Sequence, residues 1–300
     1  MTPQRISLSG FIFTLLGAVL FSTKAIIVKI AFRDTPVDAV TLLTLRMAFS
    51  LPFFLGLAFF ASGSKDNTTL SPKRLSQIFV IGLFGYYLSS LFDFIGLQYI
   101  SAGLERLILF LYPTFTVLIN AVIFKQKISR VQLLALVLTY LGIGMAYIGE
   151  LRLDVHNPNF FLGSFLIFAC AITYAIYIVG SGRLVPVVGA AKFTAYAMLS
   201  STVGVFLHAF LSGNVHVLDS GQSLWAYGIA LAIFATVIPA LLISNGMKRI
   251  GANNVAIISG VGPVSTIVQA HFVLGEPIFF VQIAGTVLVV AGVLLIGWKK

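Results

Sequence analysis

The chain has 300 residues, 59% of them hydrophobic and 9% charged, with a mean hydropathy of +1.03. Soluble domains carry roughly 25% charged residues, so this chain has too few to cover a water-exposed surface, and lipid is its solvent. The net charge of +10 is spread in short Lys/Arg clusters between apolar runs, with no single basic face, which argues against nucleic acid as a partner.

In chain order, a bilayer core of about 30 Å takes roughly 20 apolar residues per helix. Cutting at the polar breaks predicts ten spans, at 9–31, 38–60, 75–98, 102–124, 129–149, 160–181, 190–212, 224–245, 252–273 and 278–298. The first lacks a small-residue cleavage site followed by a soluble domain, so it reads as a retained helix and not a signal peptide. The longest break, Ala61 to Arg74, is a polar Ser/Lys/Asn/Thr stretch. Cys170, the one cysteine, lies inside an apolar run, which excludes a disulfide framework and a cysteine-ligated metal.

Charge on alternate sides gives a direction. One side collects Arg5, Lys65, Lys73, Arg74, Lys125, Lys127, Arg130, Arg183, Lys192, Lys248, Arg249, Lys299 and Lys300 against Asp66. The other has Arg33, Arg106 and Arg152 beside Asp34, Asp38, Glu105, Glu150, Asp154, Asp219 and Glu276. Lysine and arginine mark the cytoplasmic face, which places both termini in the cytoplasm and fits an even number of spans.

The sequence also repeats at an offset of 150. Gly96, Ile100, Ala102, Ile108, Pro113, Thr116, Ile128, Val131, Gln132 and Gly142 recur without a gap as Gly246, Ile250, Ala252, Ile258, Pro263, Thr266, Ile278, Val281, Gln282 and Gly292. The unit is therefore five helices, residues 1–150 and 151–300. An odd count inserts the second copy upside down. The expected fold is an all-α integral membrane protein of ten transmembrane helices, arranged as two inverted five-helix repeats. A site between such repeats opens alternately to either face as one rocks against the other.

Pro113 and Pro263 fall near the middle of their spans, at matched positions. Each removes a backbone bond, freeing the carbonyls of Leu109 and Ser259. Freed carbonyls at that depth survive facing protein or a wet cavity, so the pair reads as helix kinks with a gating role beside a central pathway. Pro52 and Pro239 read as kinks. Gly285 and Gly292, matched by Ala135 and Gly142, allow close helix approach, for internal packing or for a dimer seam; the chain is read as a monomer or homodimer.

Three ionisable residues lie deep in spans, Lys24, Arg46 and Asp93, each on the order of 8–12 Å below the outer end of its helix at 1.5 Å per residue. A charge there costs roughly 2.5–3.5 kcal/mol on insertion scales, which favours mutual pairing. The trio sums to +1, a surplus that suits a carboxylate or other small anion. The alternative is structural, a clamp between helices or snorkelling side chains. Lys24→Ala is expected to reduce transport more than it reduces folded yield, whereas equal loss of both would assign Lys24 to structure. Glu105 and Arg106 read as an interfacial pair at a helix start, with a proton-coupling role for Glu105 as the alternative. Lys29 lies near the outer surface, and His208 and His271 read as packed or interfacial. The hydroxyls of Tyr112, Tyr174 and Tyr177 need partners at mid-membrane, and these residues are candidates for an aromatic cavity wall. Asn120 and Asn245 are candidates for hydrogen bonds in a gate or in helix packing.

No His-Glu-x-x-His helix, Asp-rich prenyl-diphosphate motif or Gly-x-x-x-x-Gly-Lys loop occurs, so neither an enzyme nor a cofactor or metal is expected. The stretches "GLQYISAGLERLILFLYPTFTVLINAVIFKQKISRVQLLALVLTYLGIGMAYI" and "GMKRIGANNVAIISGVGPVSTIVQAHFVLGEPIFFVQIAGTVLVVAGVLLIGW" both resemble the EamA domain of the drug/metabolite transporter superfamily. They share a "y-i-s/g-A" segment, a central proline, an "L-G-E-P"-like turn and a G-V-rich last helix; "LTLRMAFSLPFF" resembles that family's arginine-bearing second helix. The first copy departs at Lys125-Gln126-Lys127, and Gly262 stands where an acidic residue often precedes the proline. The resemblance implies a ten-helix carrier of small metabolites in the bacterial inner membrane, often an amino-acid exporter. It also implies a cavity between helices 1, 3, 4, 6, 8 and 9, with a small molecule and membrane lipid as partners. Aromatic walls with surplus positive charge favour amino acids with apolar or aromatic side chains. The competing reading is exchange of an organic anion, such as a phosphorylated metabolite or nucleotide sugar, which needs more cationic groups than Lys24 and Arg46. A channel or an intramembrane enzyme ranks behind both.

Overall fold

The structure, a computed structural model, describes residues 7–62, 70–125, 130–151, 157–213 and 222–298. Arg5, Lys65, Asp66, Gln126, Lys127, Arg152, Asp154, Asp219, Lys299 and Lys300, used above, lie outside these residues. Among the described residues every regular element is helical, as hydrocarbon requires of a chain whose backbone groups must be satisfied internally.

The helices are α1 (Leu8–Asp34), α2 (Ala39–Ser62), α3 (Pro72–Gly82), α4 (Ser89–Gly96), α5 (Ala102–Leu109), α6 (Tyr112–Phe124) and α7 (Arg130–Leu151) in the first half. The second half has α8 (Phe160–Val188), α9 (Ala190–Ser212), α10 (Gln222–Ala232), α11 (Ile238–Ser259), α12 (Gly262–Gln269) and α13 (Phe280–Trp298). Seven helical stretches among the described residues are long and apolar enough to cross a membrane: Leu8–Asp34, Ala39–Ser62, Pro72–Gly96, Ala102–Phe124, Phe160–Val188, Ala190–Ser212 and Ser223–Ile243.

Serines set three of the starts. Ser7, Ser71 and Ser101 each accept a hydrogen bond from the backbone N–H three residues on, at 3.2, 3.4 and 3.0 Å, satisfying donors that a helix start leaves orphaned. Two wide π-type turns, Leu83–Leu88 and Ile233–Val237, interrupt otherwise continuous helices. They begin at positions 150 apart.

The prolines differ from their predicted setting. Pro113 and Pro263 are not within a kinked helix; each is the second residue of a new one, α6 and α12, after breaks at Phe110–Leu111 and Gly260–Val261. Proline is tolerated there because the first turn has no internal partner for its N–H. The expected polar break after residue 245 is also different. Helical hydrogen bonding runs unbroken from Ile238 to Ser259, a stretch whose one proline, Pro239, lies in its first turn. The chain still reverses: Ile243 and Ile250 pack on Gly17 and Gly10 of α1, whereas the carbonyl of Gly262 accepts from Ser22. The turn-back is thus a helical corner between Ile250 and Gly262.

α1 lies along α11, α2 along α9 and α10, α4 and α6 along α8, and α7 along α13. Glycines make these approaches possible. Gly142 of α7 meets the backbone carbonyl of Gly285 on α13, so this pair serves internal packing. At Gly82 a Cβ would lie 2.5 Å from the Ala197 carbonyl oxygen and 2.8 Å from its Cα. Backbone cannot step aside as a side chain can. Gly82→Ala is therefore expected to cost about 1–3 kcal/mol, the usual range for overpacking, seen as a lowered unfolding temperature in detergent.

Candidate substrate cavity

Midway along α1 a hollow of about 250 Å³ is walled by Lys24, Arg46, Tyr86, Arg106, Tyr112 and Tyr174. A second hollow of about 210 Å³ shares Arg46, Tyr86 and Tyr174 and continues past Tyr177 to Ser181 and Ala190. From Phe54, Thr194 and Ala240 it passes into an apolar groove between α2 and α11. The path therefore leads toward the C-terminal end of α8. The opposite end is shut. There α8 starts, with Gly163 against Ile100, and Lys29 Nζ donates to the Leu97 and Ile100 carbonyls at 3.1 and 2.9 Å. Tyr227 donates to Asp34 at 2.7 Å, and the Glu276 carboxylate accepts from the backbone N–H groups of Ala102 and Gly103 at 2.9 and 3.2 Å. The last contact ties the turn before α13 to the first turn of α5, where a negative charge is favoured by the helix dipole.

The structure brings Lys24 and Asp93 together and keeps Arg46 apart. Lys24 Nζ is 2.8 Å from Asp93 Oδ2 and 3.6 Å from Glu105 Oε1, with side chains 8%, 1% and 0% exposed. Arg46 instead donates to Thr236 at 2.8 Å and Ser90 at 3.2 Å, and its guanidinium stands 5.6 Å from the Phe94 ring centre. Thr236 lies in the second π-type turn; Tyr86, its counterpart 150 residues earlier, lies in the first. Wide turns of this kind are frequent at functional sites.

Glu105 and Arg106 are not an interfacial pair. Glu105 is fully buried and Arg106 is 8% exposed, in a helix whose N-terminus is capped by the Glu276 turn. Glu105 joins Asp93 behind the cavity wall, with Lys24 in the wall between them and the hollow. Arg106 faces the cavity, its guanidinium 5.7 Å from the Phe21 ring centre, and its buried Nε has no hydrogen-bond partner. An unpartnered buried donor costs about 1–3 kcal/mol, more when charged, and an anion in the cavity would remove that cost.

The three predicted tyrosines cluster. Tyr112 meets Tyr174 edge-on at 5.0 Å between ring centres, Tyr174 stacks on Tyr177 at 5.7 Å, and Tyr177 donates to the Tyr86 hydroxyl at 3.2 Å. Leu109 and Ser259, the residues whose carbonyls the two prolines leave free, also line the hollow. His208 Nδ1 pairs with the Tyr87 hydroxyl at 2.9 Å, His271 Nδ1 with the Glu276 carbonyl at 2.9 Å, and Asn245 with its own helix at Leu241 at 2.8 Å. Arg106, Glu105, Tyr86 and Thr236 were not singled out for the cavity by the spacing of apolar runs. The one usable signal was the matched positions of Tyr86 and Thr236.

Two stretches of the chain, residues 8–148 and 161–298, match the EamA-like transporter family. The chain belongs to that family. It is 32% identical over 286 residues, 94% of this chain and 90% of the relative, to the Bacillus subtilis (strain 168) protein called uncharacterized transporter YcbK. An uncharacterized transporter of Synechocystis sp., sll1319, is 26% identical over 99% of this chain and 95% of its own. One from Archaeoglobus fulgidus is 23% identical over 95% and 94%. A solved crystal structure superposes with a TM-score of 0.61 at 20% identity, covering 96% of both chains, and shares the fold. The protein is thus a multi-pass membrane transporter of small molecules, and the family and these relatives are transporters, not enzymes.

Proposed function

We propose that this transporter exports amino acids with aromatic or apolar side chains by alternating access. It does so as ten spans in two inverted repeats, 1–150 and 151–300, in a bacterial inner membrane with both termini cytoplasmic. The double family match, the matched proline breaks and the matched π-type turns support the repeat. With that orientation the open path beside Arg183 and Lys192 leads to the cytoplasm, and the Glu276 contact closes the outer side. Pro113 and Pro263 act as the break points at which the inner halves of their spans swing.

The observation that carries the substrate class is the convergence of Arg46 and Arg106 on one tyrosine-walled hollow. The substrate carboxylate docks on the two guanidinium groups; its side chain packs on Tyr86, Tyr112 and Tyr174, with Tyr177 behind them. Lys24 and Asp93 hold this wall in place. Counterflow in proteoliposomes tests the reading: vesicles loaded with unlabelled phenylalanine, tryptophan or leucine should accumulate the labelled compound. No counterflow across the whole aromatic and branched set rejects it.

Arg106 also favours the second reading, exchange of an organic anion, because it supplies a further cationic group on the wall. Inhibition of binding by a sugar phosphate, with none by phenylalanine, would move the assignment there.

A further inference from the structure

We infer that the Asp93–Glu105 pair, bridged by Lys24, is a binding site for one exchangeable proton that is loaded and unloaded during the transport cycle; this rests on the carrier reading above. The geometry is two carboxylates, 1% and 0% exposed, sharing one ammonium at 2.8 and 3.6 Å. None of their four oxygens has a hydrogen-bond partner beyond that ammonium. With both ionised, the three side chains would hold a net negative charge away from water with one ammonium in ion-pair contact, and leaving a buried charge without its partner costs about 3–5 kcal/mol. Two carboxylates at a shared site do not both ionise readily. One proton on the pair leaves a neutral Lys24–carboxylate couple and provides an O–H donor for the neighbouring oxygen.

The nearest further cations, Arg46 and Arg106, stand off from the pair. From α2, Arg46 donates to Thr236 and Ser90 and makes no ion pair with either carboxylate among the described residues. Arg106, beside Glu105 on α5, points to the cavity and makes no ion pair with either carboxylate among the described residues. From α8 comes the Cys170 thiol, held against Ser89 at 3.6 Å. Around α5, α7 places Ile143 in the apolar cluster with Leu104, α13 places Gln282 against Gly103 and α12 places Gly262 against Arg106; none of the three titrates in water.

Coupling to transport follows from what covers the cluster. Lys24, Asp93 and Glu105 all belong to the first half, while α12 of the second half packs on α1 and α5, the helices that carry Lys24 and Glu105. Ser22, two residues before Lys24, donates to the Gly262 carbonyl at 3.2 Å, and a Cβ on Gly262 would lie 2.6 Å from an Arg106 nitrogen. Rocking the halves apart lifts α12 from the cluster and admits water, which is the route by which the proton enters or leaves.

Infrared difference spectra of the full-length protein in lipid, taken across a pH titration, test this without any substrate. A protonated-carboxyl carbonyl band that disappears as pH rises is expected in the wild type. The same band should be missing in both Glu105→Gln and Asp93→Asn, since each leaves one carboxylate for one ammonium. Should one variant fail to fold, the other decides. A wild type with no such band, or a band unchanged in the variants, overturns the inference. In proteoliposomes, an imposed pH difference should drive accumulation of labelled phenylalanine, and Glu105→Gln should reduce that drive at least tenfold. A titrating band that both variants remove, with no amino-acid transport, sinks the substrate reading and leaves the proton site standing.

Discussion

Lys24→Met is expected to lower the stability of the folded transporter by about 3–5 kcal/mol, the usual result of removing one member of a buried ion pair. The side chain is 8% exposed and its ammonium is the counter-charge for both Asp93 and Glu105. Its loss leaves two buried carboxylates without the cation that pairs with them. Folded yield and transport should then fall together, which assigns Lys24 to holding the cavity wall and not to gripping substrate. The triple variant Lys24→Met, Asp93→Leu, Glu105→Gln removes every charge of the cluster. It should recover most of the lost stability, because apolar groups of similar volume commonly replace a buried pair at little cost. Thermal unfolding and monodispersity in detergent measure both. A Lys24→Met protein within about 1 kcal/mol of wild type would mean that the carboxylates find compensation elsewhere, and the electrostatic account of this layer would fail.

Much of the bundle was legible because lipid imposes a simple rule: a spanning segment is a long apolar run, and its helical state follows from backbone satisfaction. A departure from straight helix at Pro113 and Pro263 was legible for the same kind of reason, since proline cannot occupy a helix interior without loss, but its form is a break before each proline and not a kink. The depth of Glu105 was not. Counting from Ala102 puts it in a first turn, and first turns are usually wet. The covering element is the Glu276 turn, 174 positions from Ala102, and no local pattern reports a contact at that separation. The helical corner between Ile250 and Gly262 was missed because polar composition suggests a loop, whereas helical hydrogen bonding continues through Ser259. Arg46 illustrates a third limit. Its position at the level of Asp93 was readable, but whether it meets a carboxylate or two hydroxyls depends on the rotation of α4 and α10 about their axes. The π-type turn that presents Thr236 alters that rotation.

Arg106→Gln is expected to weaken binding of phenylalanine and tryptophan on the order of 10- to 100-fold while leaving the fold intact. A hydrogen bond to a charged group contributes about 1.5–3 kcal/mol, and one guanidinium-to-carboxylate contact is what the variant removes. The fold should tolerate it because the Arg106 Nε has no hydrogen-bond partner and its main neighbour is the face of Phe21. Arg46→Gln provides the contrast. That side chain holds Thr236 and Ser90, joining α2 to α4 and to the π-type turn before α11, so its replacement should lower affinity and unfolding temperature together. Titration calorimetry with phenylalanine, run beside thermal unfolding for each variant, separates the two residues. If Arg106→Gln binds phenylalanine as tightly as the wild type, the carboxylate does not dock there. The unpartnered Arg106 Nε would then have to be explained by the side chain's contact with Phe21 alone, and the cavity would lose its anion-binding pole.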